Sequence, residues 1–226
     1  IQHSMKRRTP WHDYSRKGTY MLTLVVRERK ALFGTLKGDL LGGIVPYVKY
    51  SFLGMVIEQE EIQKIHHFYP QVDVWKLCVM PDHLHIIVRV NEDMRDGKHL
   101  GMVIAGFKSG CNNAYWRLFK MNELPRQGLF EEGYCDKILM HEGQLDNWKH
   151  YLDDNPRRLM MKRLYPELFT VLTGMEVVGE QCQVVGNRFL LNIPDKMAVI
   201  VHRRYTDEEN ARLREEWLAC GERGGV

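Results

Sequence analysis

The sequence predicts an α+β fold: a split β-α-β-β-α-β sandwich with helices on one face of an antiparallel sheet, followed by an extra helix and a small C-terminal α/β appendage. Three observations carry this expectation. From Leu84 the apolar residues Leu84, Ile86, Val88 and Val90 alternate with His85 and Arg89, and His83 shares the parity of the polar set. A period of two is that of a half-buried strand. Two segments, 56–68 and 100–120, carry apolar residues at helical spacing instead. Strand-like runs lie before, between and after them in the order the sandwich needs.

In chain order, residues 1–4 ahead of Met5 read as a remnant foreign to the fold. A basic arm follows, with Lys6, Arg7, Arg8, Arg16 and Lys17 against Asp13 alone. Such arms are solvated or contact phosphates. The β-branched and aromatic run Thr19–Val26 is the first strand. Residues 33–50 mix glycines and lysines with apolar residues, which reads as turns with a short hairpin. Val56–Phe68 is a helix with Ile62, Ile65 and Phe68 on its apolar stripe, ended by Pro70. Val72–Val79 and His83–Val90 are adjacent strands joined by Met80-Pro81-Asp82. A charged loop, 91–98, leads to a helix from Leu100 to Lys120. A strand is expected from Cys135 to Met140. The third helix covers Gln144–Asn155, with Leu145, Trp148 and Leu152 on its buried side, and Pro156 interrupts or ends it.

The 226 residues, 44% hydrophobic and 27% charged, are enough for one globular domain of residues 5–165 plus an appendage of 166–226. No apolar run approaches the roughly 20 residues that span a bilayer, so no membrane partner is expected. The five cysteines are odd in number and include no CxxC. That disfavours a zinc knuckle or a disulfide framework and suits a reducing cytoplasm. In the appendage, Val184–Leu191 and Met197–Val201 read as short segments of α/β architecture, and Thr206-Asp207-Glu208-Glu209 as a capping box opening a helix to Ala219. The expectation is a βα unit that serves as a docking appendage or as the front of a truncated domain.

Three stretches carry chemistry. His83 and His85 fall one pleat apart on the same side of a strand, where two neutral imidazoles can bind one divalent ion and leave positions open for a substrate oxygen. The plainer alternative is a solvated pair on an open sheet. Between Gly97 and Asn122 there are four Lys/Arg (Lys98, Lys108, Arg117 and Lys120) and no acid, with Tyr115 and Trp116 among them. Basic and aromatic side chains together suit a phosphate backbone with unstacked bases. Met102, Val103, Phe107 and Trp116 read as core, whereas Lys108 and Arg117 read as nucleic-acid contacts. Tyr151 and Asn155, spaced i, i+4, share one face of the third helix. An amide oxygen can complete a two-imidazole site, and a phenol can attack phosphorus when a cation neutralises the phosphate. Taken singly, Tyr151 reads as a wet helix tyrosine and Asn155 as a C-cap before Pro156.

The stretch MPDHLHIIV, followed some 65 residues on by HYLDDNP, resembles the single-tyrosine HUH transposases, and within them the REP-associated tyrosine transposases. The resemblance spans roughly residues 17–163. It implies a ferredoxin-like sheet carrying His83-Leu84-His85, with Tyr151 as nucleophile and Asn155 as third metal ligand. FKSGCNNAYWR (107–117) is similar to the family's basic helix, and FEEGYCDKIL (130–139) to the segment before its nucleophile helix. One departure is Asp153-Asp154, which adds negative charge beside the nucleophile. The implied function is a Mg²⁺- or Mn²⁺-dependent endonuclease and strand transferase on single-stranded or hairpin DNA. It would work through a 5′-phosphotyrosine intermediate, as a monomer or homodimer. Lys108, Tyr115, Arg117, Arg157 and Arg158 are the expected DNA contacts. Three other readings exist. The Tyr-x-x-x-Asn spacing disfavours a replication or plasmid-relaxing nickase of the same chemistry. A non-catalytic hairpin-DNA-binding descendant would have no need of all four site residues. A small-molecule metalloenzyme would leave the basic clusters idle.

Overall fold

The computed structural model describes residues 12–40, 42–121 and 126–165, together with the backbone of three strands between 182 and 202. The chain divides into two units, Ile1–Arg157 and Arg158–Val226. The first unit opens with β1 (Gly18–Val25), a 3₁₀ turn at Arg27–Arg29, and the hairpin strands β2 (Gly34–Asp39) and β3 (Ile44–Tyr50). Next come α1 (Phe52–Val56), a π-helical turn (Ile57–Glu61) and α2 (Gln63–Phe68). β4 (Val72–Met80), β5 (His83–Val90), α3 (Leu100–Leu118), β6 (Cys135–Ile138) and α4 (Gln144–Leu164) follow.

β1, β4, β5 and β6 form one antiparallel sheet in the order β4-β5-β1-β6. This sheet has two apolar faces. On one, Tyr20, Leu22 and Leu24 of β1 and Leu84, Ile86, Val88 and Val90 of β5 are buried. They join Leu53, Ile57 and Ile65 from the first helical stretch and Val103, Ile104, Phe107 and Cys111 of α3 in one core. Fully burying each such side chain contributes about 1.5–3 kcal/mol. On the other face Met21 and Ile87 pack against Trp148 and Leu152 of α4. The expected alternation thus sorts the residues as the strand reading requires, and β5 carries His83, His85, Ile87 and Arg89 on the α4 side.

Several features differ from the sequence reading. The first helix starts at Phe52, four residues before Val56, because Ser51 caps it: its Oγ accepts from Gly54 N at 3.1 Å. It is also not one regular helix. Ile62 N bonds Ile57 O across a π turn, a register slip that apolar spacing does not reveal. Pro156 does not end the third helix, which runs on to Leu164 with the proline inside it. Within Val184–Leu191, expected as a short segment of α/β architecture, residues of two strands pair with each other. In the second unit Cys182–Val185 (β7), Arg188–Ile193 (β8) and Met197–His202 (β9) form an antiparallel sheet in that order. The basic arm at Lys6-Arg7-Arg8, the pair Arg203-Arg204 and the helix expected from Thr206 lie outside the described residues. Among those described, no helix is long and apolar enough to cross a membrane.

Glu61, at the end of the π turn, is buried against α3 and paired with Lys64 at 2.6 Å. Its carboxylate occupies the space a side chain at Gly110 would need, whereas nothing lies near Gly106 one turn earlier in α3. Opposite signs are therefore expected for two alanine substitutions on one helix. Gly110→Ala should destabilise by about 1–3 kcal/mol through overpacking. Gly106→Ala should stabilise by up to about 1 kcal/mol through helix propensity. Urea unfolding of both variants is the check.

Candidate active site

The two-residue turn Pro81-Asp82 closes the β4–β5 hairpin and delivers His83 as the first residue of β5. The His83 side chain is 13% exposed, and its Nδ1 lies 2.6 Å from Asp82 Oδ1. The second Asp82 oxygen accepts from Arg29 Nη1 at 3.2 Å. Burial would raise the Asp82 pKa, but the His83 and Arg29 contacts outweigh it and hold the carboxyl below its ordinary range. Asp82 therefore stays charged, with one oxygen for each neighbour.

His85 lies one pleat further on, between Thr23 of β1 and Cys78 of β4 in the sheet register. It is buried, with Nδ1 2.9 Å from Thr23 Oγ1 and Nε2 without a hydrogen-bond partner. Burial, reinforced by the positive neighbours His83, Lys137 and Arg29, pushes its pKa down to about 3. The ring is thus neutral at ordinary pH, the form that ligates metals. In the tautomer whose Nδ1–H donates to Thr23 Oγ1, the lone pair sits on Nε2. The two imidazole centroids are 4.8 Å apart, with planes at 85°. The Cys78 thiol beside them is pushed up to about 12, by burial first and then by Asp153, so it stays protonated.

α4 brings the other half. Its start is tied to the end of β6: Gln144 Oε1 accepts from Met140 N and His141 N, and Gln144 Nε2 donates to Ile138 O. Trp148 and Leu152 then seat the helix on the sheet. On the turn between them Tyr151, 37% exposed, places its ring 5.4 Å from that of His85. Asn155, one turn on, is buried with its Nδ2 unpartnered. The helix continues past it, so Asn155 is not a C-cap. Rotating the carboxamide by 180° exchanges Nδ2 for Oδ1 and turns an orphan donor into an acceptor. An unpartnered imidazole nitrogen and an unpartnered amide are the donor types a divalent ion takes. Among the described residues no group of three or more His, Cys, Asp or Glu is placed to hold a metal, so the candidate set is two imidazoles and an amide.

The two acids beside Tyr151 are both occupied. Asp153 pairs with Lys76 of β4 at 2.5 Å, and Asp154 with Arg157. The first pair links α4 to the sheet edge. With Asp153 63% exposed it is worth at most about 1 kcal/mol.

The expected DNA contacts scatter. α3 packs on the sheet face opposite the histidines. On it, Lys108 is half-buried and donates to Glu131 O (2.7 Å) and Gly133 O (3.0 Å), and its burial lowers its pKa. It staples a loop. Tyr115 is half-buried with its ring 4.9 Å from that of Phe119, and Arg117 is exposed. Arg157 is partly buried against Asp154, and Arg158 is half-buried in the second unit.

The sequence reading overlooked Thr23, Asp82, Arg29 and Lys76. Asp82 adjoins His83 in sequence and could have been weighed as its partner. Thr23 needs the β1–β5 register. Arg29 needs its loop, which has an unusual backbone: Glu28 and Arg29 both adopt positive φ, 57° and 54°. For residues with a side chain each such position costs about 1 kcal/mol or more. The loop is held against this cost from several sides. Val26 N donates to Asp82 O, Arg27 N to Leu129 O, Glu28 N to the Glu131 carboxylate and Phe33 N to Pro81 O.

No known protein-family profile matches the chain. An uncharacterized protein of Haemophilus influenzae is 22% identical over 183 aligned residues, covering 73% of this chain and 94% of its own. Among solved structures, a REP-associated tyrosine transposase bound to a REP hairpin superposes with a TM-score of 0.44 at 14% identity. The match covers 68% of this chain and 74% of that one. A provisionally assigned transposase from Deinococcus radiodurans gives 0.35 at 15% identity, over 66% and 96% of the two chains. At these values neither family nor chemistry transfers to this chain.

The His85 environment has a measurable consequence. The unfolded chain protonates this histidine near its ordinary value of about 6.5, the folded one near 3. Between those limits the unfolded state binds the extra proton, so His85 erodes stability as pH falls from 6.5 toward 3. The slope approaches about 1.4 kcal/mol per pH unit. Unfolding free energies measured across that window should show this slope in the wild type and a flatter one in His85→Gln.

Proposed function

We propose that the protein is a metal-dependent nicking and rejoining enzyme of single-stranded DNA, of the transposase type, with Tyr151 as its nucleophile. The observation that carries the reading is the packing of the Tyr151 ring on His85, whose buried Nε2 has no protein partner. A phenol packed on a buried imidazole whose Nε2 has no protein partner is suited to phosphoryl transfer assisted by a bound cation. The β-α-β-β-α-β order with the sheet arrangement β4-β5-β1-β6 supports a ferredoxin-like assignment.

His83, His85 and Asn155 would hold Mg²⁺ or Mn²⁺. When bound, the ion supplies charge neutralisation and polarisation of the scissile phosphate. Tyr151 Oη attacks phosphorus and forms a 5′-phosphotyrosine ester, losing its phenolic proton. The bond from phosphorus to the 3′ oxygen breaks, and that oxygen leaves as a hydroxyl. One ester replaces another, so a second 3′-hydroxyl can reverse the step without ATP. Trp148 and Leu152 fix the nucleophile's helix on the sheet, and positioning of this kind supplies much of the rate in phosphoryl transfer. Lys76 and Arg157 neutralise Asp153 and Asp154, which removes the repulsion those acids would otherwise exert on DNA.

The test is incubation with labelled single strands drawn from hairpin-forming repeats, with Mg²⁺ or Mn²⁺, followed by a denaturing gel. A covalent protein–DNA band is expected, abolished by chelator and reduced at least about 10³-fold in Tyr151→Phe and His85→Ala. Binding with no covalent band, across strands and metals, would support the non-catalytic hairpin-DNA-binding alternative.

A further inference from the structure

Arg29 has no role in the reaction as written above, yet the fold spends unusual effort on it. It stands second of two consecutive left-handed residues, in a loop locked by main-chain bonds to the β4–β5 turn and to residues 129–131. Non-glycine residues keep such a conformation only where their surroundings over-determine it, and they cluster at functional sites. The product of this backbone is a guanidinium tethered through Nη1 to the same carboxylate that holds His83, with its side chain still 63% exposed. Asp82 thus sits between a metal-ligand candidate and a largely exposed arginine. Lys30 takes up the neighbouring acid Glu28 at 2.9 Å, so Glu28 does not compete for Arg29.

We propose that Arg29 is a phosphate-contacting catalytic residue of this site, and that Asp82 is the positioning residue that sets both Arg29 and His83. An arginine presents a planar fork of donors, so one nitrogen can stay on Asp82 while the others take a non-bridging oxygen of the phosphate that Tyr151 attacks. This second cation matters because charge builds on those oxygens in the transition state. Asp82 holds the His83 ring through Nδ1, which leaves Nε2 as the nitrogen for a ligand, the arrangement in which an outer carboxylate strengthens a ligating imidazole. The inference rests on the nicking reading above.

The experiment uses the full chain and a strand that the wild type cleaves. In single-turnover reactions with Mn²⁺, Arg29→Ala should slow covalent-adduct formation about 10²–10³-fold, and Arg29→Lys should recover part of that loss. In chelator, with Tyr151→Phe as background, Arg29→Ala should lower the slope of log binding constant against log salt by about 0.7, one phosphate contact on a single strand. Calorimetric titration with Mn²⁺ alone should leave Arg29→Ala within about threefold of wild type, whereas Asp82→Ala should weaken Mn²⁺ at least about tenfold. An Arg29→Ala variant with wild-type rate and salt slope overturns the inference and leaves the nicking reading standing. So does one that loses Mn²⁺ affinity and thermal stability together, which would make the arginine structural. A wild type that cleaves no strand overturns the nicking reading, and this inference with it.

Discussion

The site depends on one packing constraint: a four-stranded sheet with two apolar faces needs a cover on each. α1 to α3 cover the first. On the second, Trp148 and Leu152 of α4 meet Met21 and Ile87, with Leu145, Leu139 and Cys78 packed beside them. Those contacts are clustered at one end of the helix segment, and where they stop the strand presents imidazoles instead of aliphatic groups. His85 is therefore dehydrated by the same helix that carries Tyr151. The burial that makes its protonation unfavourable also leaves its Nε2 unsatisfied, a cost the fold carries at this point. A polar atom left without a partner in an otherwise well-bonded core calls for an explanation, and a bound ion would supply one here.

Around that point the outer groups act in pairs. Thr23 and Asp82 each hold the Nδ1 side of one histidine, so both rings are oriented by β1 or by the hairpin turn rather than by the site's contents. Preorganisation of this sort lets a cation bind without paying rotamer entropy. Lys76 and Arg157 do comparable service for α4, converting two acids beside the nucleophile from a liability toward phosphate into tethers.

Much of this was legible in the sequence, and the limits have physical causes. The period-two pattern from Leu84 to Val90 placed both histidines on one side, because strand parity is a purely local property. The i, i+4 spacing of Tyr151 and Asn155 and the Trp148/Leu152 stripe were equally local. What remained hidden depends on chain segments distant in sequence: the Thr23–His85 pair needs the β1–β5 register, and the Lys76–Asp153 pair needs α4 docked on β4. Lys108 was legible only in part. Its neighbours in sequence suggested a basic surface, and the structure adds that it is half-buried and donates to two carbonyls. Pro156 misled for a further reason. A proline costs a helix one hydrogen bond, and α4 continues past it because helix ends are decided by the whole element rather than by one residue.

The most direct test of the central claim is anomalous diffraction from crystals of the full chain equilibrated with Mn²⁺. The account predicts a single strong peak about 2.0–2.3 Å from the Nε2 atoms of both His83 and His85 and from an oxygen of Asn155, on the Tyr151 side of the sheet. A peak elsewhere, or a hydrogen-bonded water at His85 Nε2 with no metal at saturating Mn²⁺, would contradict it.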